Sequence, residues 1–73
     1  MIHIGKLIQQ KLNESGTSAS WLAEQLECPT SEVVKILEKR SIETDHLLRI
    51  SSVLGYNFFQ DYSHLLAQIK TEN

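Results

Sequence analysis

The sequence predicts an all-α fold, in which five short helices form a compact bundle and residues 1–73 make a single domain. Apolar residues recur at the spacing of a helix face, and no stretch alternates apolar and polar residues as a half-buried strand does. Gly16 and Gly55 follow two of the apolar-periodic stretches, where glycine commonly ends a helix. A chain of 73 residues buries only about 60% of its unfolded surface, so we expect a narrow margin of stability.

The first two helices are predicted from their apolar spacing and their capping residues. The first helix ends near Gly16, and its apolar face consists of Ile4, Leu7, Ile8 and Leu12. Thr17 or Ser18 is the predicted N-cap of the second helix, because a hydroxyl there can accept a hydrogen bond from a free N–H group. The second helix is predicted to run to about Glu27.

The third helix is predicted over about residues 30–39. Pro29 suits its start, because the N–H group that proline lacks is not needed there. Thr30 or Ser31 is the predicted N-cap. Residues 27–29 interrupt the apolar spacing between the second and third helices, which indicates a helix–turn–helix at about residues 18–40.

Two further helices follow in the second half of the chain. Thr44 is the predicted N-cap of the fourth helix, and Asp45 is favourably placed against the dipole of its N-terminus. Asn57 is predicted to cap a C-terminal helix over about residues 57–70. The residues expected to face the core are Leu47, Ile50, Val53 and Leu54 in the fourth helix and Phe58, Phe59 and Leu65 at the fifth.

Four positions carry the close packing of the helix–turn–helix. Ala23 is small enough for two helices that cross at roughly 90–120° to approach each other, and Cys28 is a compact apolar residue in the turn. Val33 and Ile36 seat the second helix of the motif on the first. At these positions, and in the stretch SIETDHLLRISSVLGYNFF at residues 41–59, the chain resembles the Cro/phage-repressor (XRE-like) family. The resemblance covers about residues 4–62 and implies a lambda-repressor-like fold that binds duplex DNA.

The resemblance also implies which side chains contact DNA. Proteins of this kind place the N-terminal half of the second motif helix in the major groove. Carried over by position, the base-reading residues are Thr30, Ser31, Val34 and Lys35, and the phosphate-binding residues are Ser18, Ser20, Lys39, Arg40 and Ser41. Val34 suits a thymine methyl group, and Lys35 suits guanine O6 or N7. The base-reading set lacks the Arg, Asn and Gln side chains that make bidentate base contacts.

Two residues differ from the pattern of many members of that family. Ala19 stands where many relatives carry glutamine, so one contact to DNA is expected to be absent. Glu27 stands where many carry glycine, so the backbone is strained if the turn needs a positive φ.

The charge distribution favours weak DNA binding by one subunit. Residues 29–41 carry Lys35, Lys39 and Arg40 against Glu32 and Glu38, a balance of +1, whereas the whole chain carries −2. A dedicated DNA-binding domain often has a pI above about 9, and this chain has a pI near 5.8. We therefore expect a homodimer, which doubles the number of phosphate contacts.

The C-terminal helix supplies the candidate dimer interface. It has more apolar residues than the core of so small a domain needs. We expect Tyr62, Leu66 and Ile69 to pair with a second copy across a two-fold axis, while Phe58, Phe59 and Leu65 close the core.

Other classes of site find little support. His3, His46 and His64 are scattered without metal-ligand spacing, and the single cysteine, Cys28, excludes an internal disulfide and has an apolar setting typical of core. No nucleophile elbow, phosphate-binding loop or paired carboxylates occur, so we expect neither an enzyme nor a cofactor or metal site. No apolar run could cross a bilayer and no secretory signal is evident, so we expect a cytoplasmic protein without a membrane partner.

Two functions remain open at this point. The first is a sequence-specific transcriptional regulator of bacterial or phage type, associated with the nucleoid, that represses by occupying promoter DNA as a homodimer. The second is a helix–turn–helix scaffold for protein–protein interaction, such as an antitoxin-like or adaptor module, with weak or no DNA binding. The resemblance makes the first the function that we expect, and the second is the alternative that the acidic balance and the sparse base-reading set favour.

Overall fold

The computed structural model of the protein describes the backbone of residues 1–72 and the side chains of residues 1–69. Asn73, the last residue of the predicted domain, lies outside the described residues. Five α-helices and no strand occur in the described part of the chain, which confirms the all-α prediction. The helices are α1 (Ile4–Glu14), α2 (Ala19–Leu26), α3 (Thr30–Glu38), α4 (Thr44–Leu54) and α5 (Phe59–Glu72).

The core lies between the first four helices and is closed by Phe58, in the connection that follows α4. Each of α1 to α4 contributes fully buried apolar residues, whereas α5 contributes only partly buried ones near its start, Phe59 and Tyr62. The buried residues are Ile4, Ile8, Leu12, Leu22, Ala23, Leu26, Val33, Ile36, Leu47, Ile50 and Phe58. Val33, Ile36 and Ala23 therefore occupy the packing positions predicted for them.

The later part of α5 extends away from this core. Residues 66–69 are all exposed, although α5 is the longest helix of the chain. The molecule measures 43 × 20 × 19 Å along its principal axes, a shape consistent with one projecting helix on a compact body.

Several predicted helix ends are confirmed by their hydrogen bonds. Ser18 is the N-cap of α2, and its Oγ accepts a hydrogen bond from the Trp21 N–H at 3.2 Å. Asn57 Oδ1 accepts a hydrogen bond from the Phe59 N–H at 3.0 Å, as expected for a cap at the start of α5. Gly55 ends α4 in the left-handed conformation.

The predicted N-caps of α3 and α4 are wrong by one residue. Pro29 is the N-cap of α3, and Glu43 is the N-cap of α4; neither side chain makes a capping hydrogen bond. Thr30 and Thr44 are instead the first helical residues. The reason is that both preceding residues have extended backbones, with ψ of 147° at Pro29 and 143° at Glu43, and each helix begins directly after them.

The predicted bounds of two helices also differ from the structure. α3 ends at Glu38, because Lys39 has the extended backbone of its C-cap, so the predicted end at residue 39 is one residue late. α5 runs over Phe59–Glu72 instead of residues 57–70. Its start is later because Asn57 caps the helix from outside.

The turn between α2 and α3 has a positive φ at Glu27, the conformation that was expected to strain the backbone there. Glu27 is the C-cap of α2 with φ 55° and ψ 47°, and it is the one non-glycine residue with positive φ in the described chain. Glu27 N donates to Glu24 O at 3.2 Å and Cys28 N donates to Ala23 O at 3.0 Å, the paired bonds of a Schellman motif. The turn thus keeps a geometry that favours glycine while carrying glutamate.

None of the helices in the described residues has the length and apolar character required to span a membrane.

Candidate nucleic-acid interface

α3 has one buried face and one exposed face. Val33 is fully buried and Ile36 is nearly so, and both point toward the core. The four residues predicted to read bases are all exposed, and the apolar Val34 among them is 45% exposed. The exposed residues are Thr30, Ser31, Val34 and Lys35. This face is therefore accessible to a large ligand.

Helical spacing brings a fifth residue to the same edge. Ser31, Val34, Lys35 and Glu38 stand at i, i+3, i+4 and i+7, so they share one exposed edge of α3. From the sequence, Glu38 was counted only as one charge of residues 29–41. Its spacing of seven residues from Ser31 would have placed it on this edge of α3. Glu32 is also exposed, on the flank of this edge. The edge therefore combines one cation with nearby carboxylates.

The charged side chains of α3 are not paired with one another. Among the described residues the ion pair that forms joins Lys11 and Glu14, in α1. Hydrogen bonds from Gln10 and Lys11 hold the pKa of Glu14 below its usual value, but that carboxylate belongs to α1 and its partners are all in α1. The Lys35 ammonium group is thus available to an external acceptor.

The N-terminus of α2 presents two hydroxyl groups. Ser18 and Ser20 are both exposed, as the predicted phosphate contacts require. The Ser18 oxygen accepts the Trp21 N–H bond, which leaves its hydroxyl hydrogen free to donate to a phosphate oxygen. Backbone N–H groups in the first turn of a helix, which have no partner inside the helix, add further donors.

The segment that follows α3 is exposed at its side chains and fixed at its backbone. Lys39, Arg40 and Ser41 are exposed. Lys39 O accepts a hydrogen bond from Gly5 N, and Arg40 O accepts one from Ile4 N, each at 2.9 Å. These two bonds join the C-terminal end of α3 to the first turn of α1, a connection that local sequence patterns gave no means to detect.

The predicted dimer residues fall into two groups. Tyr62 is half-buried against the core and borders a cavity of about 280 Å³ that is also lined by Ile42, Leu47 and Phe59. Leu66 and Ile69 are 52% and 44% exposed. The last two form an apolar surface on the projecting part of α5, whereas Tyr62 belongs partly to the fold itself.

The residues predicted to close the core at α5 do so to different degrees. Phe58 is fully buried and makes an edge-to-face contact with Tyr56 at 4.9 Å between ring centroids. Phe59 is partly buried against the core. Leu65 lines an open groove of about 430 Å³ between α1 and α5, together with Leu7. The prediction therefore holds fully for Phe58 and partly for Phe59, and it is not borne out for Leu65, which is half-buried but does not pack against the core.

Other site types receive no support from the geometry. Within the described residues, no three His, Cys, Asp or Glu side chains converge as metal ligands would. Cys28 is partly buried and packs against the core at the turn, next to Ala23 and α3.

Comparison with known proteins gives no assignment, because no protein-family model, curated protein or solved structure matches the chain. The resemblance to the Cro/phage-repressor family therefore stays a prediction from the residues at the helix–turn–helix.

Proposed function

We propose that the chain is a small cytoplasmic regulator of transcription, of bacterial or phage type, that binds duplex DNA as a homodimer and represses by occupying promoter DNA. The observation that carries this proposal is the exposed edge of α3, whose polar residues stand in the chain between two sets of exposed candidate phosphate donors. One set is Ser18 and Ser20 at the start of α2, and the other is residues 39–41 after α3.

α3 is the element that would enter the major groove. Its N-terminal residues Thr30 and Ser31 can donate to or accept from either base type, Val34 can contact a thymine methyl, and Lys35 can donate to guanine O6 or N7. An α-helix of nine residues fits the width of the major groove of B-form DNA. The phosphate donors on either side would fix its register.

Dimerisation gives this weakly charged face sufficient affinity. Each neutralised phosphate adds about 0.9 to the slope of log K against log[salt], and one subunit offers Lys35, Lys39 and Arg40. Two subunits related by a two-fold axis double these contacts and bind half-sites about one helical turn apart. The exposed Leu66 and Ile69 on α5 are the proposed dimer contacts, with Tyr62 at the edge of the interface.

Substitution of single cations tests the proposal. Arg40→Ala should weaken binding to all duplexes about equally and lower the salt slope by about 2, because it removes one phosphate contact from each subunit of the dimer. Lys35→Ala should cost about 1–3 kcal/mol per half-site and relax the preference at one base pair of each half-site. The matched control is Lys6→Ala, which removes the same charge from the groove between α1 and α5. The proposal is wrong if Arg40→Ala and Lys35→Ala bind selected duplexes as tightly as the Lys6→Ala control does.

The acidic residues of α3 support a second candidate function. Glu38 shares the exposed edge with Lys35, and Glu32 flanks it; both carboxylates repel phosphate. A helix–turn–helix scaffold that binds another protein, with Leu66 and Ile69 of α5 as apolar contacts, would tolerate these charges. Glu38→Gln distinguishes the two functions, since removing a carboxylate from a DNA-binding edge should strengthen binding to duplex DNA, and a protein-binding edge should gain no such binding.

A further inference from the structure

The first turn of α1 and the end of α3 satisfy each other's backbone groups. Ile4 and Gly5 are the first two residues of α1, so their N–H groups have no acceptor within that helix. Lys39 and Arg40 follow the last residue of α3. The two interhelical bonds, each 2.9 Å long, pair the donors of one helix terminus with carbonyl oxygens at the opposite kind of terminus. This pairing also aligns the positive end of one helix dipole with the negative end of the other.

The contact requires glycine at position 5. Gly5 is buried, and a Cβ atom added to it would collide with the carbonyl groups of Leu37 and Lys39. The colliding atoms belong to backbone, so they cannot move aside as the end of a flexible side chain could. Any larger residue would push α1 away from the end of α3 and stretch or break both hydrogen bonds.

The segment held in this way is the one that carries the proposed phosphate contacts. Lys39 has left the helical conformation, with φ −87° and ψ 139°, and the side chains of residues 39–41 are exposed. The α1 bonds at Lys39 O and Arg40 O fix this extended backbone in place. A backbone already fixed before binding loses less conformational entropy when it meets a phosphate.

We propose that Gly5 is a positioning residue for binding to the DNA backbone. Because it has no Cβ, the first turn of α1 can approach closely enough to donate hydrogen bonds to Lys39 O and Arg40 O. These bonds hold residues 39–41 in the conformation that contacts phosphate. The inference rests on the proposed function. Gly5 itself does not contact DNA.

The first test compares Gly5→Ala with Gly55→Ala. Gly55 has φ 65° and open space around its Cβ direction, so alanine there strains the backbone without touching residues 39–41. Both variants are measured at a temperature where circular dichroism shows them fully folded. Gly5→Ala should lower affinity for duplexes about equally whatever their sequence and reduce the salt slope by about 4, one unit each for Lys39 and Arg40 of both subunits. Gly55→Ala should keep the slope of the native chain.

A backbone variant keeps the inference testable if Gly5→Ala does not fold. The chain can be assembled from two synthetic pieces joined at Cys28, with the backbone nitrogen of Ile4 replaced by an ester oxygen. This change removes the donor to Arg40 O and keeps every side chain. The matched control is the same replacement at Asp45, which is also in the first turn of a helix. The Ile4 ester should lower the salt slope by about 2, one unit for Arg40 of each subunit, and the Asp45 ester should not change it.

The order of residues 39–41 is measured on the same proteins without DNA, by backbone amide relaxation in NMR. Increased motion there in the Ile4 ester, together with a lower salt slope, supports the inference. Unchanged motion, or increased motion with an unchanged slope, overturns it. If the native chain binds no duplex, the proposed function fails, and the positioning role for DNA falls with it; increased motion in the ester would then show only that the bonds order this segment.

Discussion

At the scale of single residues, Glu27 is the clearest local conflict between sequence and backbone. The residue adopts φ 55° in the turn of the helix–turn–helix, where a Cβ atom is unfavourable. The turn persists because the Schellman hydrogen bonds and the packing of Cys28 hold it from both sides. The strain is therefore local and can be removed by a single substitution.

Glu27→Gly should raise the free energy of unfolding by about 0.5–1 kcal/mol, because relief of the left-handed strain exceeds the extra entropy of glycine in the unfolded chain. The measurement is urea denaturation followed by circular dichroism. Glu24→Gly is the control, since it removes the same charge from an exposed helical position and should lower stability by about 1 kcal/mol. A loss of stability in both variants would show that Glu27 is not strained.

Capping residues show how far local sequence determines local structure. Ser18 and Asn57 were predicted as caps and accept the expected N–H bonds, because a short polar side chain before an apolar run has few other local partners. Thr30 and Thr44 were predicted as caps on the same reasoning and are helical instead. Pro29 and Glu43 are the N-cap residues, with extended backbones and no capping hydrogen bond from the side chain. Residue preferences for the N-cap position do not predict either of them.

At the scale of helices, the molecule is held by polar links between helix ends as well as by its core. Arg49 in α4 donates from Nη2 to Leu26 O at the end of α2, at 3.1 Å. A guanidinium group at that position satisfies a free carbonyl and complements the negative end of the α2 dipole. The bond lies directly before the strained Glu27 turn and ties α4 to the end of α2.

Arg49→Ala should lower the free energy of unfolding by about 1 kcal/mol, from loss of one charge-assisted hydrogen bond that is partly open to solvent. Thermal unfolding measures the effect, and His46→Ala, at an exposed position of the same helix, serves as the control. If both variants unfold at the same temperature as the native chain, the Arg49 contact contributes nothing to stability.

The helices themselves could be predicted from the sequence, and the links between them could not. Apolar spacing placed all five helices to within a few residues, and Ile8, Leu22, Val33 and Ile50 mark the buried faces of the first four. The bonds from Gly5 to Lys39 and from Arg49 to Leu26 join residues far apart in the chain. They depend on how the helices are arranged in space, which local periodicity does not specify. The same holds for the candidate interface. The exposure of Ser31 and Lys35 could be predicted from the sequence, whereas the hydrogen bonds that hold residues 39–41 against α1 could not.

At the scale of the whole molecule, the proposed homodimer depends on the apolar residues that α5 leaves exposed. A 73-residue chain has a small core, and α5 leaves apolar side chains exposed beyond it. Leu66 and Ile69 lie three residues apart on that helix, so they share a face. Burial of this face against a second copy would stabilise the protein and supply the second set of phosphate contacts.

Leu66→Glu should convert a dimer to a monomer, because it puts a carboxylate where an apolar contact is proposed. Sedimentation velocity at several protein concentrations measures the change. Gln68→Glu adds the same charge at an exposed position nearby and should leave the dimer intact. A native chain that is monomeric at all concentrations would remove α5 as the dimer contact.

The measurement that tests the account most directly is a fluorescence anisotropy titration of the native chain with a mixed-sequence duplex at two salt concentrations. Six cations from two subunits should give measurable binding at about 50 mM salt and an affinity about a thousand-fold lower at about 200 mM. Absence of binding at the lower salt, or binding that does not change with salt, would contradict the role assigned to α3 and residues 39–41.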